Sequence, residues 1–172
     1  EYGRFVIEPF ERGFGHTIGN GLRRVLLSSI EGTAVTAVRI EGAKHEFDSL
    51  EGIYEDVTDI ILNIKKLRVR MHTDAPCTLR IDVAEKGDVT GGDIETAHNV
   101  EVVNTDLYLC TVSKPDVTLD MEFTIRRGRG YVTADENFDE DMEVGVIPLD
   151  SIFSPVQRVR YAVNATRVGK MT

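Results

Sequence analysis

The chain has 172 residues, is 41% hydrophobic and 28% charged, and carries a formal charge of −9. Those values fit one or two ordinary folded domains and exclude a globally disordered chain. No stretch approaches the ~18 apolar residues of a bilayer span, and no charged-then-apolar signal segment opens the sequence.

The two cysteines, Cys77 and Cys110, stand far apart with no Cys-x-x-Cys, which fits a reducing compartment better than a disulfide scaffold. Charge is unevenly placed. Residues 1–30 are nearly balanced, and residues 151–172 carry Arg158, Arg160, Arg167 and Lys170 with no acid. The acidic excess therefore sits in 31–150, the pattern expected of an inserted domain.

In chain order, Arg4–Phe10 reads as a short strand followed by a glycine turn. A first helix is expected from His16 or Thr17 to Ile30, with Gly32 as a left-handed stop. Ile18, Leu22, Val25, Leu26 and Ser29 form one stripe at helical spacing. Arg23 and Arg24 flank it, and Leu27 falls outside it, so the helix is greasier than one buried face requires. The β-branched run Thr33–Glu41 predicts a strand ended by Gly42. A second helix should be capped by Asp48 or Ser49 and bury Ile53, Val57, Ile60, Ile61 and Ile64. Its early acids Glu55, Asp56 and Asp59 and its late Lys65 and Lys66 suit the helix dipole.

From Leu67 onward short strands replace helices: Leu67–His72, Thr78–Val83, Val100–Val103, Leu107–Val112 and Val117–Ile125. Gly91-Gly92 and Lys114-Pro-Asp116 supply turns. Val144–Asp150 and Pro155–Val168 complete the set. The class is α+β and strand-rich, with two helices.

Motifs for chemistry are sparse. Gly13, Gly15 and Gly19 miss the dinucleotide fingerprint by one position, and no Gly-Lys-Ser/Thr follows. His16, His45, His72 and His98 show no metal-ligand spacing, and no Gly-x-Ser-x-Gly occurs. No metal or cofactor is expected. The acidic run Asp135–Glu143 fails as a calcium loop, because Glu140 and Val146 fall where glycine and a bidentate acid are needed. It reads as a solvated loop, with a docking site for a basic partner as the sharper alternative. Arg126-Arg-Gly-Arg129 can grip phosphates but lacks interleaved aromatics, so it predicts weak nucleic-acid binding at most.

The run Glu11-Arg-Gly-Phe-Gly-His-Thr-Ile-Gly-Asn-Gly-Leu-Arg-Arg-Val-Leu-Leu-Ser-Ser29 closely resembles the signature of the bacterial RNA polymerase α subunit. His45-Glu-Phe with Gly52-Ile-Tyr-Glu-Asp56, Arg127-Gly-Arg-Gly-Tyr-Val132, and Phe153-Ser-Pro-Val-Gln-Arg158 with Thr166-Arg-Val-Gly169 match the same family in its order. Gly21 stands in place of the usual alanine, and Glu31, Thr133 and Asn164 in place of proline, proline and glutamate.

The resemblance implies a two-lobed chain. A small α/β dimerisation domain, residues 1–31 and 156–172, would be interrupted by a mainly antiparallel β insert with one helix, residues 32–155. It implies a non-catalytic assembly subunit that dimerises and then binds the β and β′ subunits, in the bacterial cytoplasm and nucleoid or in a plastid. Ile18, Leu22, Val25 and Leu26 would form the dimer interface. Arg24, Leu27, His45, Glu46, Glu55 and Asp56 would meet β, and Arg158 and Arg167 would meet β′. Asp139, Glu140 and Asp141 are candidates for contact with a transcription activator. The family also has a strand before the first residue and a strand and interface helix after the last, so the chain is expected to be a fragment. A nucleotide-binding enzyme using the Gly13–Gly19 turn, and a weak nucleic-acid binder through Arg126–Arg129, are the competing readings.

Overall fold

A computed structural model of the chain describes residues 1–166. Its elements are α1 (Phe14–Ser28), β1 (Glu31–Ile40), α2 (Val57–Ile64), β2 (Val69–Met71), β3 (Cys77–Val83), β4 (Gly87–Thr90), β5 (Val100–Val102), β6 (Tyr108–Val112), β7 (Leu119–Arg129), β8 (Tyr131–Val132), the short α3 (Ala134–Asn137), β9 (Ile147–Pro148) and β10 (Ser151–Ile152). The class is α+β, and the strand pairings are antiparallel.

The main sheet has the order β3-β7-β1-β9, with separate ladders β4–β6, β2–β5 and β8–β10. Alternation along β7 sets the core. Leu119, Met121, Phe123 and Ile125 are buried, with the residues between them half-covered. Register places Val38, Phe123 and Leu79 in one row across three strands, and Ile40, Met121 and Ile81 in the next. Every one of these is at most 1% exposed, and full burial of such a side chain is worth roughly 1.5–3 kcal/mol.

Helix α2 adds Val57, Ile60, Ile61 and Ile64, all buried, to the same core. Asn63 ties it to β6, donating through Nδ2 to the Leu109 carbonyl at 2.9 Å. Between Val35 and Ala37 the register slips by one residue, a bulge. The extra residue, Thr36, is 2% exposed, and its carbonyl accepts from Leu149 N–H, which satisfies that buried acceptor.

Several expectations are corrected. Helix α2 starts at Val57, well after Ser49. Asp48 does not cap it but accepts from the N–H groups of Lys44 and His45, and Gly52 takes a left-handed φ of 80°, which no continuing helix allows. Ile53 therefore lies off the helix and bridges to Val112. Helix α1 ends at Ser28, with Ser29 N–H closing on the Val25 carbonyl, and Gly32 lies inside β1 rather than in a left-handed stop.

Residues 4–10 and 155–166 form no strand, and the last two residues of the expected Pro155–Val168 strand lie outside the described residues. Alternation alone does not make a strand without an edge to pair with, and no described strand pairs with either segment. Of Val144–Asp150 only Ile147 and Pro148 join a ladder, and Val144 is wholly exposed.

Candidate interaction surfaces

Helix α1 is amphipathic but contributes no buried residue. Gly15 and Gly19 lie within the helix rather than in a turn, which removes the geometry a phosphate loop would need. Both face the closing segment. A Cβ on Gly15 would come within 2.7 Å of Val163, and one on Gly19 within 2.5 Å of Tyr161. The His16 ring meets Tyr161 edge-on, with centroids 6.5 Å apart. Glycine at these positions lets the closing segment lie directly against the helix.

Of the apolar stripe, Leu22 and Val25 are exposed, and Ile18 and Leu26 are half-buried. Arg24 is exposed, and its carbonyl accepts from Ser28 Oγ at 2.6 Å; Leu27 is half-buried.

The connection from Glu41 to Asp56 is irregular but heavily hydrogen-bonded. Asp48 Oδ2 accepts from Lys44 N–H at 2.6 Å and His45 N–H at 3.2 Å, and Oδ1 lies 3.1 Å from His45 Nε2. Phe47 N–H donates to His45 Nδ1 at 3.2 Å, so the neutral imidazole carries its proton on Nε2, facing Asp48. The donor set around Asp48, led by Lys44 N–H, holds its carboxyl below the ordinary value of 3.8. The carbonyl of Asp48 accepts from Val57 N–H, and that of Glu46 from Thr58 Oγ1, which fastens this turn to the start of α2.

Glu55 is fastened as firmly. Its Oε2 accepts from Thr111 N–H at 2.8 Å, and its Oε1 accepts from the Tyr108 hydroxyl. Tyr54 N–H donates back to the Thr111 carbonyl, and Ser113 N–H to the Gly52 carbonyl, so residues 52–55 run along the edge of β6. Beneath them Cys110 is fully buried, which pushes its thiol up to about 12, with Glu55 and Asp93 adding to the effect.

Of the β-contact candidates, His45, Glu46 and Asp56 are thus exposed, while Glu55 is half-buried and turned inward. The sequence reading assigned the whole His45–Asp56 region to β but did not single out Phe47 and Tyr54, which are 77% and 81% exposed. The available signal was two large aromatics in a stretch with neither helical nor strand period.

Arg126–Arg129 closes β7 rather than forming a free basic turn. Arg127 lies 2.9 Å from Asp74 and 3.6 Å from Glu31, and donates to the Met71 carbonyl. That guanidinium is spent on the fold. Arg126 edges an open hollow of about 500 Å³ with Glu136, Asp139, Glu140 and Asp141. The acids Asp139, Glu140 and Asp141 are exposed, as like charges this close require. Tyr131 and Ile152 are cross-strand partners of β8 and β10 and are both exposed. Arg158 is exposed; Arg167 lies outside the described residues.

Among the described residues no helix is long and apolar enough to cross a membrane. Residues 38–154 match the family model for the RNA polymerase Rpb3/RpoA insert domain. The chain belongs to the RNA polymerase α-subunit family. It is 56% identical over 171 residues to a protein of Symbiobacterium thermophilum, 54% identical over 172 residues to one of Moorella thermoacetica, and 53% identical over 171 residues to one of Desulfitobacterium hafniense. Each relative is named DNA-directed RNA polymerase subunit alpha. The alignments cover 99–100% of this chain and 54–55% of those proteins. The α-family chain therefore spans about half the length of the curated relatives it matches.

Proposed function

We propose that this chain is the assembly region of an RNA polymerase α subunit, a scaffold that dimerises and recruits β and β′ without chemistry of its own. The observation that carries the reading is the bare apolar stripe of α1. A 15-residue amphipathic helix with no buried residue is marginal in water by itself and needs a partner surface. Ile18, Leu22, Val25 and Leu26 would meet a second α copy. Arg24, Leu27 and the His45–Asp56 connection would meet β, and Arg158 would lie on the β′ side.

On this reading residues 1–31 and 156–172 form the dimerisation domain and 32–155 the insert, at work in the cytoplasm with the nucleoid. Asp139, Glu140 and Asp141 would offer a negative surface to a basic activator, an attraction that acts mainly on association rate and weakens with salt.

The test is co-purification of an α subunit of the relatives' full length with β and β′. Capture of both by the wild-type chain, and loss of capture when Val25 is replaced by Glu, is the expected result. A well-folded chain that captures neither would end the reading. Serine at 139, 140 and 141 should leave β capture intact and lower activated transcription at low ionic strength. An unchanged response to every activator of the host would remove the activator contact alone.

A further inference from the structure

The connection between β1 and α2, from Glu41 to Asp56, is longer than the ~12–15 residues at which an irregular stretch in a compact domain becomes uncommon and is usually functional. Most of its carboxylates are used inside the chain. Glu41 pairs with Arg39 at 3.2 Å, Glu51 with Lys114 at 3.1 Å, and Asp48 and Glu55 fold back onto backbone N–H groups. Besides polar side chains such as Glu46 and Asp56, the connection turns two large aromatics to water, Phe47 and Tyr54.

The two anchorages are independent. Asp48 closes the turn that carries Phe47 and is tied to α2, whereas Glu55 locks the segment that carries Tyr54 to the β6 edge. The bonds fix the backbone from which each ring projects, so binding has only the side-chain torsions left to order. Large aromatics with few torsions are the groups that dominate interface energetics. A carboxylate whose oxygens already accept internal hydrogen bonds has little left to offer a partner.

We infer that Asp48 and Glu55 are positioning residues, which hold Phe47 and Tyr54 as two preset aromatic anchors for the β subunit without touching β themselves. The inference rests on the assembly reading above and reassigns one of its contacts, Glu55, from the interface to its support. The facing surface of β must then offer apolar recesses, with a polar group within reach of the Tyr54 hydroxyl.

The experiment measures β capture by full-length α variants whose folding is checked by thermal melting. Phe47→Ala and Tyr54→Ala should each weaken capture by about tenfold or more while the melt is unchanged. Glu55→Ala should weaken it comparably, whereas Glu55→Gln should stay within about twofold, because its amide oxygen accepts from Thr111 N–H and its NH₂ can donate to Tyr108. Asp48→Ala should weaken capture, and adding it to Phe47→Ala should have no further effect, since it acts through that ring.

Loss by Glu55→Gln equal to that of Glu55→Ala would show that the charge itself meets the partner and overturn the inference. Additive losses at 48 and 47 would do the same for Asp48. If Glu55→Ala fails to fold, the exposed variants decide: normal capture by both Phe47→Ala and Tyr54→Ala overturns the proposal. Arg24→Ala separates the two levels. Weakened capture by Arg24→Ala with normal capture by every loop variant defeats the inference and spares the assembly reading. Normal capture by all of them defeats the inference and the Arg24 contact, and leaves the assembly reading to the capture test of the wild-type chain.

Discussion

Tyr161 occupies the space a side chain at Gly19 would need: a Cβ there would come within 2.5 Å of Tyr161 Cδ2 and 2.9 Å of Cγ. The root of the ring is involved, so turning the ring about its own axis does not clear the clash and the whole side chain must swing away. Two positions on, Gly21 has nothing within 4 Å of its would-be Cβ. The same substitution should therefore have opposite effects. Gly21→Ala should strengthen α1 by up to about 1 kcal/mol from helix propensity alone. Gly19→Ala should lift the closing segment off the helix and abolish the nuclear Overhauser contacts between His16 and Tyr161. The readout is amide exchange along α1, because a helix with no buried residue hardly moves the global melt. Retained His16–Tyr161 contacts in Gly19→Ala would contradict the packing.

Arg24 is exposed, and exposed substitutions usually shift stability by no more than about ±0.5 kcal/mol. Arg24→Ala should melt like the parent while full-length α loses affinity for β. Val25→Glu should likewise leave the core between Val35 and Leu149 intact, because Val25 is 53% exposed in the single chain. In sedimentation the full-length Val25→Glu subunit should run as a monomer, since a dimer seam would bury the unpaired charge. A tight dimer would move the seam elsewhere on the helix.

The cysteines should differ in reactivity. Cys110 is fully buried and its thiol is pushed up to about 12, so almost no thiolate exists near neutrality. Cys77 is half-buried, at the start of β3. A thiol reagent at about pH 8 should label one site per native chain and a second only after unfolding. Rapid native labelling at Cys110 would show that the α2–β6 core opens.

Asp48 should titrate low. Its native carboxyl lies below the ordinary 3.8, so the ionised form is the one the folded turn favours. That stabilisation is complete above 3.8 and is lost as the pH falls through the native pKa. A carbon-13 titration of the Asp48 carboxyl should give a midpoint under 3.8, with Lys44 and His45 amide shifts following it. A midpoint at or above 3.8 would mean that those N–H groups do not converge on it in solution.

Ser151 is 2% exposed, accepts from Asn137 Nδ2 at 3.0 Å and lies within donating distance of the Val35 carbonyl at 2.8 Å. Ser151→Ala removes both bonds and leaves Asn137 Nδ2 only the Leu149 carbonyl at 2.6 Å, at a cost of about 1–3 kcal/mol. Denaturant unfolding should show that loss, and a stability equal to the parent's would mean that water enters the site.

The parts of the fold legible in the sequence are those where one residue's chemistry suffices. The β-branched runs of β1, β3, β6 and β7 and the spacing Val57, Ile60, Ile61, Ile64 announce buried strands and one helix. What stayed hidden depends on partners distant in sequence. Val89, fully buried in β4, sits in a polar run whose strand exists only because β6 pairs with it. Asp48 looked like a helix cap because caps and turns use the same carboxylate, and only the fold shows which N–H groups converge on it. Arg127 looked free because Glu31 and Asp74 lie far from it along the chain. Of the surfaces, the α1 stripe was readable from its period, whereas Phe47 and Tyr54 belong to no period.

Gly32 enters the main sheet directly beneath the carbonyl of Phe153, so closely that any side chain at 32 would collide with it. The polypeptide between those two residues thus leaves from the place where it arrives. A body whose two ends touch can be spliced into a host at a single point on its surface, asking of the host only the separation of two adjacent strands. Such a module could be enlarged, trimmed or exchanged over evolutionary time without disturbing the register of whatever surrounds it. The absence of a side chain at one glycine would be the hinge on which that freedom turns.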